Sequence, residues 1–386
     1  QLFLGWVFYW PLIWSILGAG NLMLAIELRS IAKKYGRVEV LRDFDLDVEA
    51  GTFTVVFGLP ACGKSVLVRL LTGLERPSAG HILLRGNKAT KVDSGGRNIG
   101  YVPQSFALYP HFSVYNNISY PLDLIKSPKS RIEDAVKQIA GQLKIDHLLG
   151  KYPDQLSGGE KQRVALARGV VKHTDIYILD DPLVGLDFKL REQMFDDLKS
   201  MQQSLAATFL YTTSDPLEAL ALADKVAVLD GGRIVEAGNL ESLYRRPTHI
   251  STMTLLGFPP SNQIGGELLI RADRLWCSTG LFELPVNMAP SAGRPAEIGD
   301  VRVVIRPEDI HLNPNQDGLL QCQAQVVLRE DLGGEVIVYL EVNEIPLVTV
   351  ISHAEDHLIS KDRVTIGVHP SKVVLFNSET GQRIGS

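Results

Sequence analysis

The chain has 386 residues, of which 45% are hydrophobic and 22% charged, and its formal net charge is −5. At roughly 150 residues per domain this predicts two or three domains, and so ordinary a composition excludes wholesale disorder and fibrous repeats. The mild acidic balance argues against a nucleic-acid surface, and Cys62, Cys277 and Cys322 lie too far apart for a disulfide scaffold or a Cys-rich zinc site, which fits a reducing compartment.

Residues 1–26 carry no charged side chain and include Trp6, Trp10 and Trp14, three of the four tryptophans. The stretch from Leu2 to Ala25 reaches the length of a bilayer span, about 20 apolar residues, but lacks the positive n-region of a secretory signal. Two readings stand: a helix in or against a membrane, or an upstream extension outside a mature subunit that starts at Met23. Pro11 and the run Gly18-Ala-Gly20 weaken a helix and favour the second.

From Ile26 to Ile31 apolar and polar residues alternate, a strand signal. Phe53-Thr-Val-Val-Phe57 predicts a second strand that runs straight into a glycine loop, and Val66 to Leu71 predicts an apolar helix ended by Gly73. Residues 111–172 read as mainly helical, notably Arg131 to Leu143 and Gly159 to Val171. Ile176 to Leu179 and Thr208 to Tyr211 are unbroken apolar runs, as strands covered on both faces require. Near Pro247 the texture changes. Short strand-like runs follow at Val301–Ile305, Ala324–Leu328, Val336–Leu340, Leu347–Ile351 and Lys372–Phe376, which suggests a small β-barrel or sandwich.

Chemistry concentrates in the first part. Gly58-Leu59-Pro60-Ala61-Cys62-Gly63-Lys64-Ser65, followed by Val66, fits the phosphate-loop spacing between a strand and a helix. Backbone amides at a helix start face phosphates, Lys64 neutralises the β and γ groups, and Ser65 is placed to hold Mg²⁺. Ile176 to Asp181 is an apolar strand that delivers Asp180 and Asp181 at its end, the first toward Mg²⁺ and the second toward the γ-phosphate. A paired Asp at a strand end is by itself more often a cap or a solvated turn. Ser157-Gly158-Gly159-Glu160, at a predicted helix start, makes either an anion site or a plain capping turn.

The octet Leu156 to Arg163, beside that phosphate loop, resembles the signature motif of ATP-binding cassette (ABC) ATPases. The resemblance implies an α/β phosphate-loop NTPase fold with a helical subdomain, and a signature that caps the ATP held by a second subunit. It also implies that Tyr35 stacks on adenine, that Gln104 reaches Mg²⁺ and the attacking water while signalling to the permease, and that Asp187 couples two nucleotide sites. Asp181, Ser214 and Gln104 stand at the family's catalytic positions; Ser65, Gln104 and Asp180 stand at those that hold Mg²⁺. Gln104 to Val114 and Leu186 to Arg191 resemble the carbohydrate-importer branch, and Val304 to Glu308 with Leu375 to Gly381 resemble its C-terminal oligonucleotide-binding-like (TOBE) regulatory domain. The implied division is an apolar extension at 1–23, an ATPase domain at 24–243 with its helical subdomain near 105–172, and a β-rich regulatory domain at 244–386.

Three positions depart from the pattern. Asp181 stands where the family has Glu, Ser214 where it has His, and Ala61 where the loop has a glycine; the last is tolerable if φ stays negative. A carboxylate one methylene shorter sits back from the water it orients, and losing general-base help typically costs about 10²–10⁴-fold in rate. Serine cannot carry a proton near neutral pH as imidazole does. The expectation is therefore an ATP-binding importer subunit for a sugar, polyol or glycerol-type solute, the degenerate half of an unlike ATPase pair. The alternatives are a slow homodimeric importer ATPase and a non-transport cassette protein, against which Gln104 and the C-terminal strands speak. Implied partners are two transmembrane permeases, a second ATPase and an extracytoplasmic binding protein, with no nucleic acid, at the cytoplasmic face of the inner membrane.

Overall fold

The structure is a computed structural model that describes residues 23–272, 274–286, 299–315, 317–358 and 362–385. The apolar head up to residue 22, and the two readings of it, lie outside the described residues. No helix among those described is long and apolar enough to cross a membrane.

A six-stranded sheet forms the centre, in the order Arg233–Asn239, Lys225–Asp230, Phe53–Phe57, Thr208–Thr213, Ile176–Asp180, Gly100–Val102. All neighbours are parallel except the first pair, which is antiparallel. The unbroken apolar runs have the cause inferred for them: alternate residues feed two different cores. Phe53, Val55, Phe57, Tyr177, Leu179, Phe209 and Tyr211 face a cluster with the helices Val114–Leu124, Lys129–Gln142 and Gly158–Val170. Val56, Ile176, Ile178, Leu210 and Ala227 face the other side, where they meet the helix Lys64–Thr72 and an antiparallel sheet. That sheet has the order Val38–Glu49, Leu24–Tyr35, Ala79–Leu84, Asn87–Lys88; the alternation seen from Ile26 holds to Leu28 and shifts phase at Ile31, where the register with Val38–Glu49 slips.

Beyond two short helices, Leu240–Arg245 and Ile250–Leu255, the described residues form two antiparallel sheets of six and five strands. Their inward residues, among them Ile264, Val303, Leu340 and Ile366, share one cluster. The expected run from Lys372 starts later: Pro370–Lys372 is a 3₁₀ turn and the strand spans Val374–Asn377. Proline supplies no ladder donor, and Lys372 turns instead to Asp309 at 2.9 Å. Arg306 ties this part to the helices. Its guanidinium donates to the carbonyls of Leu256 (2.8 Å) and Tyr244 (2.7 Å) and lies 3.6 Å above the Tyr244 ring. Burial and a 2.6 Å hydrogen bond to Glu308 push the Tyr244 phenol up to about 12.

Candidate functional site

Four segments leave the carboxyl edge of the parallel strands side by side, where open α/β sheets hold ligands. The register aligns Phe57 with Thr213, Asp180 with Thr212, and Val102 with Leu179. The glycine loop, the two aspartates, Ser214 and the Gln104 loop therefore start from one rim.

In the loop, Gly63 caps the helix Lys64–Thr72 at φ 115° and provides no side-chain acceptor for its first amides. The amides of Ser65 and Val66 thus keep the donors that a helix start leaves unpaired. Gly58 is required for space, because a Cβ there would stand 2.3 Å from the Leu229 carbonyl oxygen. Lys64 is buried, and its ammonium spans the loop to the Gly58 and Leu59 carbonyls at 2.7 and 3.0 Å. Ala61 corrects an expectation: its φ is +64°, not negative. An L-residue there carries left-handed strain of order 1 kcal/mol, which a glycine would not. Burial raises the Cys62 thiol pKa, with Lys64 opposing.

Asp180 is almost fully buried, and its Oδ1 accepts from Ser65 Oγ at 3.2 Å and from Thr212 Oγ1 at 2.9 Å. Paired hard oxygens of this kind, hydroxyl beside carboxylate, suit Mg²⁺. Asp181 follows at φ +46°, with its amide donating to the Thr212 carbonyl at 2.9 Å. Burial raises its carboxyl pKa, Lys64 opposes that, and Asp180 and Asp215 add to it. Ser214 is half-buried at the end of the strand Thr208–Thr213. Gln104 is exposed in the bend after Gly100–Val102 and makes no hydrogen bond to Ser65 or Asp180 among the described residues.

Tyr35 ends its strand half-exposed, but the contacts that fix it lie at the C-terminal end of the loop helix rather than at the phosphate loop. Its hydroxyl donates to Glu75, which also pairs with Lys33 (2.9 Å) and Arg69 (2.7 Å). Partial burial works against the Glu75 carboxylate, yet hydrogen bonds from Tyr35, Lys33 and Arg69 bring its pKa down from 4.5 to about 2. A depressed carboxyl pKa stabilises the fold above the unfolded value and stops doing so as pH falls through the folded one. Glu75→Gln is therefore expected to cost about 1–2 kcal/mol at pH 7, discounting for partial exposure, with the gap closing between pH ~5 and ~2. Denaturant titrations of both proteins across that range read it; a gap independent of pH would refute it.

Of the two readings of Ser157, the capping one is what the hydrogen bonds show. Ser157 Oγ accepts from the Glu160 amide (3.3 Å) and Glu160 accepts from the Ser157 amide (2.7 Å), a reciprocal cap at the start of Gly158–Val170. Hydrogen bonds from Ser157 lower the Glu160 carboxyl pKa. The first helical amides beyond that cap remain unpaired at an exposed helix start. Gly159 meets the next helix: a Cβ on it would lie 2.2 Å from Leu190 Cδ2. Leu190 belongs to Phe188–Leu205, and its amide is capped by Asp187 Oδ1 at 3.0 Å. No hydrogen bond or ion pair among the described residues joins Ser157–Glu160 or Asp187 to Gly58–Ser65, so the two sets of residues stand apart within this chain.

Sequence reasoning missed the residues that hold these loops. Arg168 donates to the carbonyls of Ala107 (2.6 Å) and Phe106 (2.9 Å), while buried Asn117 bonds Tyr109, Phe112 and Ser113. Their only signal was a polar residue inside an apolar helical pattern.

A phosphate loop, an adjoining carboxylate strand and a signature helix define a cassette-type nucleotide site. The family models agree. Residues 41–184 match the ABC transporter model and 303–376 the TOBE domain model. The chain is 36% identical to the sn-glycerol-3-phosphate import ATP-binding protein UgpC 1 of Rhizobium etli, covering 94% of this chain and 99% of that one. It is 35% identical to the maltose/maltodextrin import ATP-binding protein MalK of Vibrio vulnificus, over 92% and 96% of the two chains. Against the sulfoquinovosyl glycerol transport ATP-binding protein SmoE of Agrobacterium fabrum the identity is 34%, over 94% and 100%. The chain belongs to the ABC transporter family of ATP-binding proteins. Among solved structures, cbiO1 from Clostridium perfringens, part of the cbiONQ complex, superposes with a TM-score of 0.54 at 27% identity over 58% of this chain and 92% of that one. A dimeric bacterial ABC transporter cassette gives 0.51 at 25% identity, over 56% and 98%.

Proposed function

We propose that this chain is the ATP-binding subunit of an ABC importer for a sugar, polyol or glycerol-type solute, and the weakly hydrolytic half of an unlike ATPase pair. The relatives named for glycerol 3-phosphate, maltodextrin and sulfoquinovosyl glycerol support the solute class. The observation that carries the second part is the rim itself, where the phosphate-binding groups are kept, Ala61 excepted, while Asp181 and Ser214 stand at the two hydrolytic positions. In this reading the division at about residue 243 separates an ATPase domain from a regulatory one. Two permeases, a second ATPase and a binding protein complete the assembly at the cytoplasmic membrane face.

ATP lies with its phosphates against the amides of Gly63 to Val66, where Lys64 exchanges the Gly58 and Leu59 carbonyls for phosphate oxygens. Ser65, Asp180 and Gln104 would hold Mg²⁺, which supplies charge neutralisation for the β- and γ-phosphates. Thr212 holds Asp180 in place through the shared Oδ1. Asp181, raised toward protonation by its burial, is the group left to accept a proton from water, from a backbone one methylene too far back. Ser157, Gly158 and Gly159, with Asp187, serve the nucleotide of the partner ATPase.

The test of the ATP site is nucleotide titration of the full-length chain. Lys64→Ala is expected to weaken ATP binding about 10- to 100-fold, the worth of a charge-assisted contact. Equal affinity in both proteins would remove the phosphate-loop reading.

A further inference from the structure

We infer that Arg191 is a positioning residue that locks the Leu186–Asp187 turn to the segment carrying Ser214, so that the surface offered to a partner nucleotide moves with the chain's own hydrolytic rim. This rests on the ATPase reading above. Arg191 sits in the first turn of Phe188–Leu205, immediately behind Asp187. One guanidinium nitrogen donates to Asp215 Oδ2, and another donates to the Leu186 carbonyl at 3.1 Å. The remaining Nε is buried with no acceptor among the described residues and lies 4.0 Å from Glu218 Oε1.

Asp215 is not a passive surface acid. It directly follows Ser214, its amide donates to Thr213 Oγ1 (3.0 Å), and its Oδ1 caps the helix Pro216–Leu222 through the Leu217 amide (2.9 Å). Glu218 on that helix is buried and accepts from the buried Tyr211 hydroxyl at 2.6 Å, on the strand that ends at the rim. One side chain thus clamps the Leu186–Asp187 turn to a helix cap, with a buried acid 4.0 Å from its Nε. Its planar fork is what permits simultaneous contacts, which an ammonium point charge cannot reproduce. The side chains of Arg191 and Asp215 are about three-quarters buried, so the pair is screened less than a surface one.

The experiment uses the full-length chain assembled with its permeases and partner ATPase, and reads kcat and KM for ATP. Arg191→Met and Asp215→Asn are each expected to lower kcat about tenfold while KM stays within about twofold, as displaced but intact catalytic groups do. The double variant should lose no more than either single one, because both break one connection. Arg191→Lys should recover part of the rate, since it keeps the ion pair but not the Leu186 contact. Losses that multiply in the double variant, an unchanged kcat, or a rise in KM alone would each overturn the proposal. Arg191→Lys and Asp215→Asn are mild enough to decide it if Arg191→Met does not fold. ATP binding by the unsubstituted chain, titrated in parallel, tests the ATPase reading separately.

Discussion

The double substitution Asp181→Glu, Ser214→His is expected to raise single-turnover ATP hydrolysis by this chain about 10²–10⁴-fold, the usual worth of a positioned general base. The reason is reach. Asp181 is fixed at the strand end by the hydrogen bond its N–H donates to the Thr212 carbonyl, and its left-handed φ leaves little freedom to advance the carboxyl by backbone movement. A glutamate adds the missing methylene from the same anchor. Ser214 leaves the neighbouring strand through Thr213, aligned with Phe57 at the entrance of the phosphate loop. In the proposed site an imidazole at that position is expected to reach toward the γ-phosphate farther than a hydroxymethyl does. Either substitution alone should recover less than the pair. Rapid-quench measurement of phosphate release reads all three variants, and a double variant no faster than the unsubstituted chain would sink the explanation by reach.

Gly158→Asp is expected to lower ATP turnover of the assembled transporter about 100-fold or more, the scale set by losing aligned donors at a developing anion. Nucleotide binding to this chain's own phosphate loop should be untouched. A Cβ on Gly158 meets nothing within 4 Å, so the new carboxylate is accommodated without disturbing the fold. It places a negative charge at the helix start that the proposal assigns to the partner's γ-phosphate. The neighbouring position is a useful contrast: Gly159→Ala collides with Leu190 and should perturb the packing of two helices before it perturbs any charge. Turnover and fluorescent-nucleotide affinity, measured side by side, separate these outcomes. Undiminished turnover in Gly158→Asp would mean that Ser157–Glu160 is a helix cap and nothing more.

What was legible in the sequence was local. The central strands announced themselves because both faces are buried, as the alternate residues of Ile176 to Leu179 show by entering two different cores. The phosphate loop, the aspartate pair and the signature were legible because each is a short contiguous run. The orientation of Tyr35 was not, since Glu75, forty residues away, holds its hydroxyl. Nor was the left-handed conformation of Ala61, because φ at one loop position depends on how the whole turn closes. Nor were the partners of Arg191 and Arg168, since Asp215 and Ala107 lie 24 and 61 residues away.

In the proposed division of labour, this subunit binds ATP while the hydrolysis that drives transport occurs elsewhere. Solute uptake by the assembled transporter carrying Asp181→Asn addresses it directly, because the substitution removes the only carboxylate at that position and changes little else. Uptake within about twofold of the unsubstituted assembly is expected. Uptake abolished by Asp181→Asn would contradict it and make this chain's own site the one that drives transport.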